Sequence, residues 1–464
     1  MATEPQGSQW KTLDKDLNRI SQVELAATYV ARPLVAPGIA LAFIVVAGAV
    51  AAVFFGHQPS SFVVIAAAIF GAYMAVNIGA NDVANAMGTS VGSGAISVRQ
   101  AVIIAAVFEF SGAFLAGGHV TKTIRKGIID PSRIADQPHL LIFGMLAALL
   151  AAAIWLMVAS RKGWPVSTTH TIVGAIVGFG LVGIGPDAVN WSKIIQIVTS
   201  WVISPVVGGV IAFLLMVSIH RLIFEKDSPF EAGKRWCPMY IFLVGFILTL
   251  VTSFKGLKHL NLDLTVGMSV LLSVVVGAIT AAIGWYLISK IEIDPVADKE
   301  FHFASLERVF APAMIFTACA MAFAHGSNDV ANGVGPMAAV VSMVANSGDI
   351  AQESELPLWI LMVGGAGIIV GLATLGYQVM KTIGKDITAL TPTRGFCAAL
   401  AAASTVAVAS RTGLPVSTTH IAVGAVIGVG LARGLGAIDL RVVGTIVVSW
   451  LVTLPVGATL AAFF

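Results

Sequence analysis

Apolar runs of membrane-spanning length recur along the chain. They lie near 34–55, 62–80, 100–118, 140–160, 171–184, 194–219, 238–254, 264–289, 309–324, 357–380, 396–410, 421–432 and 440–464. A helix needs about 20 such residues to cross a hydrocarbon core. The runs at 171–184 and 421–432 are short and are expected as broken or re-entrant elements. Only 11% of the 464 residues are charged, against about 25% in soluble domains, and the mean hydropathy is +0.91. A soluble fold of this length cannot hide so much apolar surface. The expected fold is an all-α polytopic membrane protein with about 12 transmembrane segments. A soluble enzyme, a nucleic-acid binder and a disordered scaffold are excluded. The net charge of +3 favours no acidic partner.

Residues 1–32 read as a polar tail and 33–58 as an extra N-terminal helix. Polar stretches at 122–137, 220–235, 290–308 and 346–357 mark loops. The basic 220–235 loop is expected on the cytoplasmic side and the 346–357 loop, without Lys or Arg, on the other. Cys237, Cys319 and Cys397 are too few and too scattered for a disulfide framework or a metal site, and read as apolar fillers.

The chain also repeats itself. Gly79-Ala80-Asn81-Asp82-Val83-Ala84-Asn85 returns as Gly326-Ser327-Asn328-Asp329-Val330-Ala331-Asn332. Pro165-Val166-Ser167-Thr168-Thr169-His170 returns as Pro415-Val416-Ser417-Thr418-Thr419-His420, each copy preceded by Ser-Arg-x-Gly. Ser200-Trp201 returns as Ser449-Trp450. Same order and nearly constant offset define a first repeat at 59–220, connecting segments at 221–306 and a second repeat at 307–464. Duplicated halves in a polytopic protein read as a secondary transporter with two inverted repeats.

The repeated residues are the polar ones. A carboxylate inside an apolar helix costs at least ~2.5–3.5 kcal/mol on insertion scales. Neither Asp82 nor Asp329 has Lys or Arg within ten residues in the sequence, so a bound cation is a natural partner. Asp and Asn oxygens suit a hard ion such as sodium. Gly79 and Gly326 are expected to let the helix unwind and offer carbonyls. Pro165 and Pro415 are expected at helix breaks. The hydroxyls of Ser167, Thr168, Thr169, Ser417, Thr418 and Thr419, with the N–H groups of two helix N-termini, would then form a cage for a tetrahedral oxyanion.

Several residues stay open. Glu109 reads as a proton, cation or substrate acceptor, or as a neutral structural acid. His170 and His420 read equally as relay or packing groups. His325 has Ile78 at the matching place and stands outside the symmetric set. Arg161 and Arg411 read as interfacial anchors.

These motifs resemble the inorganic phosphate transporter (Pit) family, which includes sodium-dependent phosphate symporters, and Gly79 to Asn85 is similar to that family's signature. Thr123 to Asp130, Thr391 to Phe396 and Leu414 to His420 are similar to that family as well. The resemblance covers roughly residues 62–464. It implies a homodimer in the plasma (bacterial inner) membrane that imports inorganic phosphate with sodium by alternating access. It implies that Asp82 and Asp329, with Asn81, Asn85, Asn328 and Asn332, help bind sodium, and that both Ser-Thr-Thr runs cradle phosphate. The family pattern resembles one with an acid soon after Thr-Pro-x-x-Gly-Phe, where this chain has Cys397-Ala398-Ala399-Leu400; stoichiometry and proton coupling hang on that departure. The alternative is a proton-coupled phosphate, metal–phosphate or sulfate permease of the same fold. No enzyme and no cofactor beyond the coupling ion is expected: a P-loop, a His-Glu-x-x-His run and paired cysteine ligands are absent from the sequence.

Overall fold

The computed structural model describes residues 35–56, 60–130, 137–255, 264–300, 303–345, 356–376, 390–434 and 440–464. The expected polar tail and most of the 346–357 loop lie outside these. The described residues are helical apart from connecting turns and one isolated bridge between Ile129 and Val189. Eleven of the described helices are long and apolar enough to cross a membrane, and two shorter apolar helices accompany them.

In order, α1 is Val35–Phe55, α2 Ser61–Asn81, α3 Val83–Gly92, α4 Val98–Ala116, α5 Gly118–Lys126, α6 Pro138–Arg161, α7 Thr168–Phe179 and α8 Trp191–Ile219. Then follow α9 Pro229–Lys255, α10 Val266–Ser289, α11 Pro295–Glu300, α12 Ala304–Ala345, α13 Leu358–Leu375, α14 Pro392–Thr412, α15 Thr418–Ala432 and α16 Leu440–Phe463. Local signals set several boundaries. Ser97 and Gln100 close a capping box at α4, and prolines open α6 and α14 where their missing N–H costs nothing. The polar stretches expected as loops are partly helical: α5 ends inside the first, and α9 begins inside the second.

The halves interlock. The short α7 packs on α16, and the short α15 packs on α8. Likewise α2 packs on α13 and α4 on α12, while α2 and α12 meet each other. Each half therefore completes its packing on the other. Small residues allow the close approach. A Cβ on Gly79 would lie 1.9 Å from the Ile368 carbonyl oxygen, and one on Gly326 would lie 2.1 Å from that of Glu109.

That contact corrects the expected role of these two glycines. Helix α12 runs unbroken through Gly326, Asn328 and Asp329. In the first half a single turn residue, Asp82, joins α2 to α3 with φ −91° and ψ −26°. Neither motif unwinds. The glycines admit a neighbouring backbone instead.

Candidate functional site

The two Pro-Val-Ser-Thr-Thr-His runs enter the interior as expected. Gly163 and Gly413 take φ +67° and +73° just past the ends of α6 and α14, which explains the glycine of each Ser-Arg-x-Gly. The chain then runs extended to Ser167 and Ser417, which cap α7 and α15. Their hydroxyl oxygens accept from the N–H groups of His170 (3.1 Å) and His420 (3.2 Å).

Asn81 and Asn328 fasten these runs. Asn81 donates to Ser160 Oγ (3.1 Å) and the Trp164 carbonyl (3.0 Å), and accepts from Val166 N–H (3.2 Å). Asn328 donates to Ser410 Oγ (3.1 Å) and the Leu414 carbonyl (3.3 Å). The two amides thus do the same task in each half.

Next to them sit the carboxylates. Thr168 donates to Asp82 Oδ2, and Thr419 donates to Asp82 Oδ1 at 2.7 Å. Thr418 donates to Asp329 Oδ2 at 2.6 Å. Thr169 donates to the Val416 carbonyl at 2.9 Å. Asn332 reaches Thr168 Oγ1 and Thr169 Oγ1, both at 3.1 Å, and Asp329 Oδ1 at 3.4 Å. All of these side chains are buried. The side chain of Asn85 lies outside the described ones.

His325 is the residue that sequence reasoning set aside. Its Nδ1 lies 2.9 Å from Glu109 Oε2, and its Nε2 lies 2.8 Å from Asp329 Oδ2. The available signal was helical spacing, since His325 and Asp329 stand at i and i+4. Glu109 faces this imidazole, with its other oxygen, Oε1, buried and unpartnered. By the glycine contacts, Glu109 matches Ile368 of the second half, so the asymmetry involves two adjacent residues. His170 and His420 lie elsewhere. Their rings meet edge to face at 4.3 Å; His170 packs tilted against Trp201, and His420 stacks on Trp450.

Three groups bear on cation binding. One ligand atom each from Asp82, His325 and Asp329 lies within 4.8 Å of the others. Asn332 Oδ1, a further oxygen in the same cluster, is buried without a hydrogen-bond partner. Two carboxylates this close in a dry interior need a positive charge between them, and the oxygen-rich donor set suits a hard ion. The two capped N-termini beside them supply partial positive charge suited to an oxyanion.

A sequence profile described as the phosphate transporter family matches residues 78–461. A Haemophilus influenzae relative, assigned as a phosphate permease, is 49% identical over 404 residues, covering 87% of this chain and 96% of that one. The chloroplastic inorganic phosphate transporter 2-1 of Arabidopsis thaliana is 46% identical, covering 85% of this chain and 70% of that one. A solved structure described as the sodium-dependent phosphate transporter superposes with a TM-score of 0.80 at 43% identity, covering 87% of this chain and 98% of that one.

Proposed function

The chain belongs to the phosphate transporter family, and from that premise we propose that it imports inorganic phosphate across the plasma membrane by symport with sodium. The observation that carries this reading is the joint construction of one site by both halves, with Thr419 of the second donating to Asp82 of the first. Such a site changes shape when the halves move against each other, as alternating access about an inverted repeat requires.

The hydroxyls supply the coupling. Thr168, Thr418 and Thr419 direct their protons to carboxylates and cannot give the same protons to phosphate. A sodium ion binding Asp82 or Asp329 takes over the carboxylate oxygens and coordinates the hydroxyl oxygen through a lone pair. The hydroxyl proton then turns to the phosphate oxygen, beside the N-termini of α7 and α15. Sodium binding thus precedes phosphate binding. The membrane potential supplies about 2.3 kcal/mol per charge per 100 mV, so a dianion needs more than two sodium ions for potential-driven uptake.

A second reading is favoured by one observation. His325 bridges Glu109 and Asp329, a pair suited to carrying a proton, and the coupling ion in that reading is a proton. Labelled-phosphate uptake into proteoliposomes separates the two. Uptake under an imposed sodium gradient, resistant to excess sulfate, supports the first. Uptake under a proton gradient alone, or uptake abolished by sulfate, overturns it.

A further inference from the structure

We propose that Trp201 and Trp450 are positioning residues that act in turn. Each hydrogen-bonds the proline carbonyl of the opposite half: Trp201 to Pro415 in the state seen here, Trp450 to Pro165 in the state that opens to the other side. This rests on the alternating-access reading above and names the contact that holds each of its end states.

Two contacts of the same build carry the argument. Helix α7 of the first half packs on α16, and α15 of the second packs on α8. A Cβ on Gly174 of α7 would lie 2.5 Å from the Leu454 carbonyl oxygen, and one on Gly424 of α15 would lie 2.3 Å from that of Pro205. One turn on, a Cβ on Gly178 would lie 2.2 Å from the Ala458 carbonyl oxygen, and one on Gly428 would lie 2.1 Å from that of Gly209. Leu454 and Pro205 each stand four residues past their tryptophan, and Ala458 and Gly209 each stand eight. The two interfaces therefore share one register. The histidines repeat as well: His420 hydrogen-bonds the Trp201 backbone, and His170 that of Trp450.

The indoles break the match. Trp201 Nε1 donates to the Pro415 carbonyl at 2.9 Å. Trp450 Nε1 is buried and has no hydrogen-bond partner among the described residues, although the repeat gives it Pro165 where Trp201 has Pro415. An indole N–H is a donor only, and leaving it buried without an acceptor is costly. A second state in which Trp450 reaches the Pro165 carbonyl recovers that cost. The bond also bears on the site. Pro415 opens the run whose Thr419 donates to Asp82, so Trp201 holds the second-half run against the first-half acid. A movement that frees this run and lets Trp450 hold Pro165 exchanges the roles of the halves around the same site.

The test is the KM for phosphate at saturating sodium in right-side-out and in inside-out vesicles, read as the ratio of the two values. Apparent affinity on each side scales with the population of the state that opens there. Trp201→Phe removes the bond of one state, and Trp450→Phe that of the other. The ratio is expected to move roughly three- to tenfold in opposite directions in the two variants, and to return toward wild type when both are combined. Placing 3-benzothienylalanine at either position keeps the bicyclic ring and removes the N–H. It is expected to move the ratio as Phe does, and it serves where a Phe variant does not fold. A packing role alone lowers both maximal rates and leaves the ratio unchanged. Ratios within about twofold of wild type in both variants, or shifts in the same direction, overturn the proposal. So does a shift in Trp201→Phe alone, the result of a fixed difference set by Pro205 and Pro455, which stand one place out of register. Wild-type vesicles that take up no phosphate under either ion gradient overturn the transport reading itself, and this proposal with it.

Discussion

Thr419 of the second half donates its hydroxyl to Asp82 of the first at 2.7 Å, while Thr168 of Asp82's own half donates to the other oxygen of the same carboxylate. One buried acid thus gathers both Ser-Thr-Thr runs. A cation that binds Asp82 acts on both halves at once.

Replacing Thr419 with Val keeps the shape and removes the hydroxyl. Sodium-driven phosphate uptake is expected to fall by at least about tenfold, because a donor to a buried charged group is lost. Thr419→Ser is expected to retain most of the activity. Uptake measured against sodium concentration checks this; a Val variant with wild-type sodium dependence contradicts it.

Asp82→Asn and Asp329→Asn are each expected to lower uptake by more than about a hundredfold, as expected when one member of a buried charge cluster is removed. The two differ in what they leave behind. Asp329→Asn removes the 2.8 Å contact to His325 Nε2 and leaves that to Glu109, whereas Asp82→Asn leaves both contacts of His325 in place. Counterflow exchange of labelled phosphate at equal sodium on both sides gives the comparison, with Asp82→Asn expected to retain the larger residual rate.

Gly79→Ala and Gly326→Ala are expected to destabilise the fold by at least about 1–3 kcal/mol, since the new methyl meets a backbone carbonyl at 1.9 and 2.1 Å. Gly38→Ala, where nothing lies within 4 Å, is expected to be neutral. Thermal unfolding of the purified variants in detergent reads the difference. Wild-type stability in both core variants would mean that α2 and α12 do not approach their neighbours so closely.

The two repeated tryptophans predict unequal effects. Trp201 Nε1 donates to the Pro415 carbonyl at 2.9 Å, but Trp450 Nε1 is buried without a hydrogen-bond partner. Trp201→Phe is therefore expected to cost about 1 kcal/mol more than Trp450→Phe in the same unfolding measurement. Equal losses would contradict the difference between the two indoles.

Much of this architecture is legible in the sequence because its signals are local. Apolar run lengths mark the spans. Pro165, Ser167 and their second copies mark two helix starts, and both serines cap as their type dictates. The repeat singles out polar residues in both halves, and Asp82, Thr168, Asp329, Thr418 and Thr419 among them come together in the interior. What escaped is what depends on partners distant in the chain. Gly79 and Gly326 look like points of unwinding until Ile368 and Glu109 come to lie against them. His325 looks peripheral because Ile78 matches it, yet Glu109 of α4 meets its ring from across the helix contact, opposite Asp329 one turn along α12. The donation from Thr419 to Asp82 is set by the interlocking of α7 and α15 with α16 and α8, which no single stretch of sequence encodes.

The most direct test of sodium-gated phosphate binding is calorimetric titration of purified protein with phosphate, in sodium and in a sodium-free choline buffer at the same ionic strength. Binding is expected in sodium alone, and to disappear in Asp82→Asn. Phosphate binding of equal strength in choline would contradict the coupling, because the threonine hydroxyls would then reach phosphate without any ion to release them.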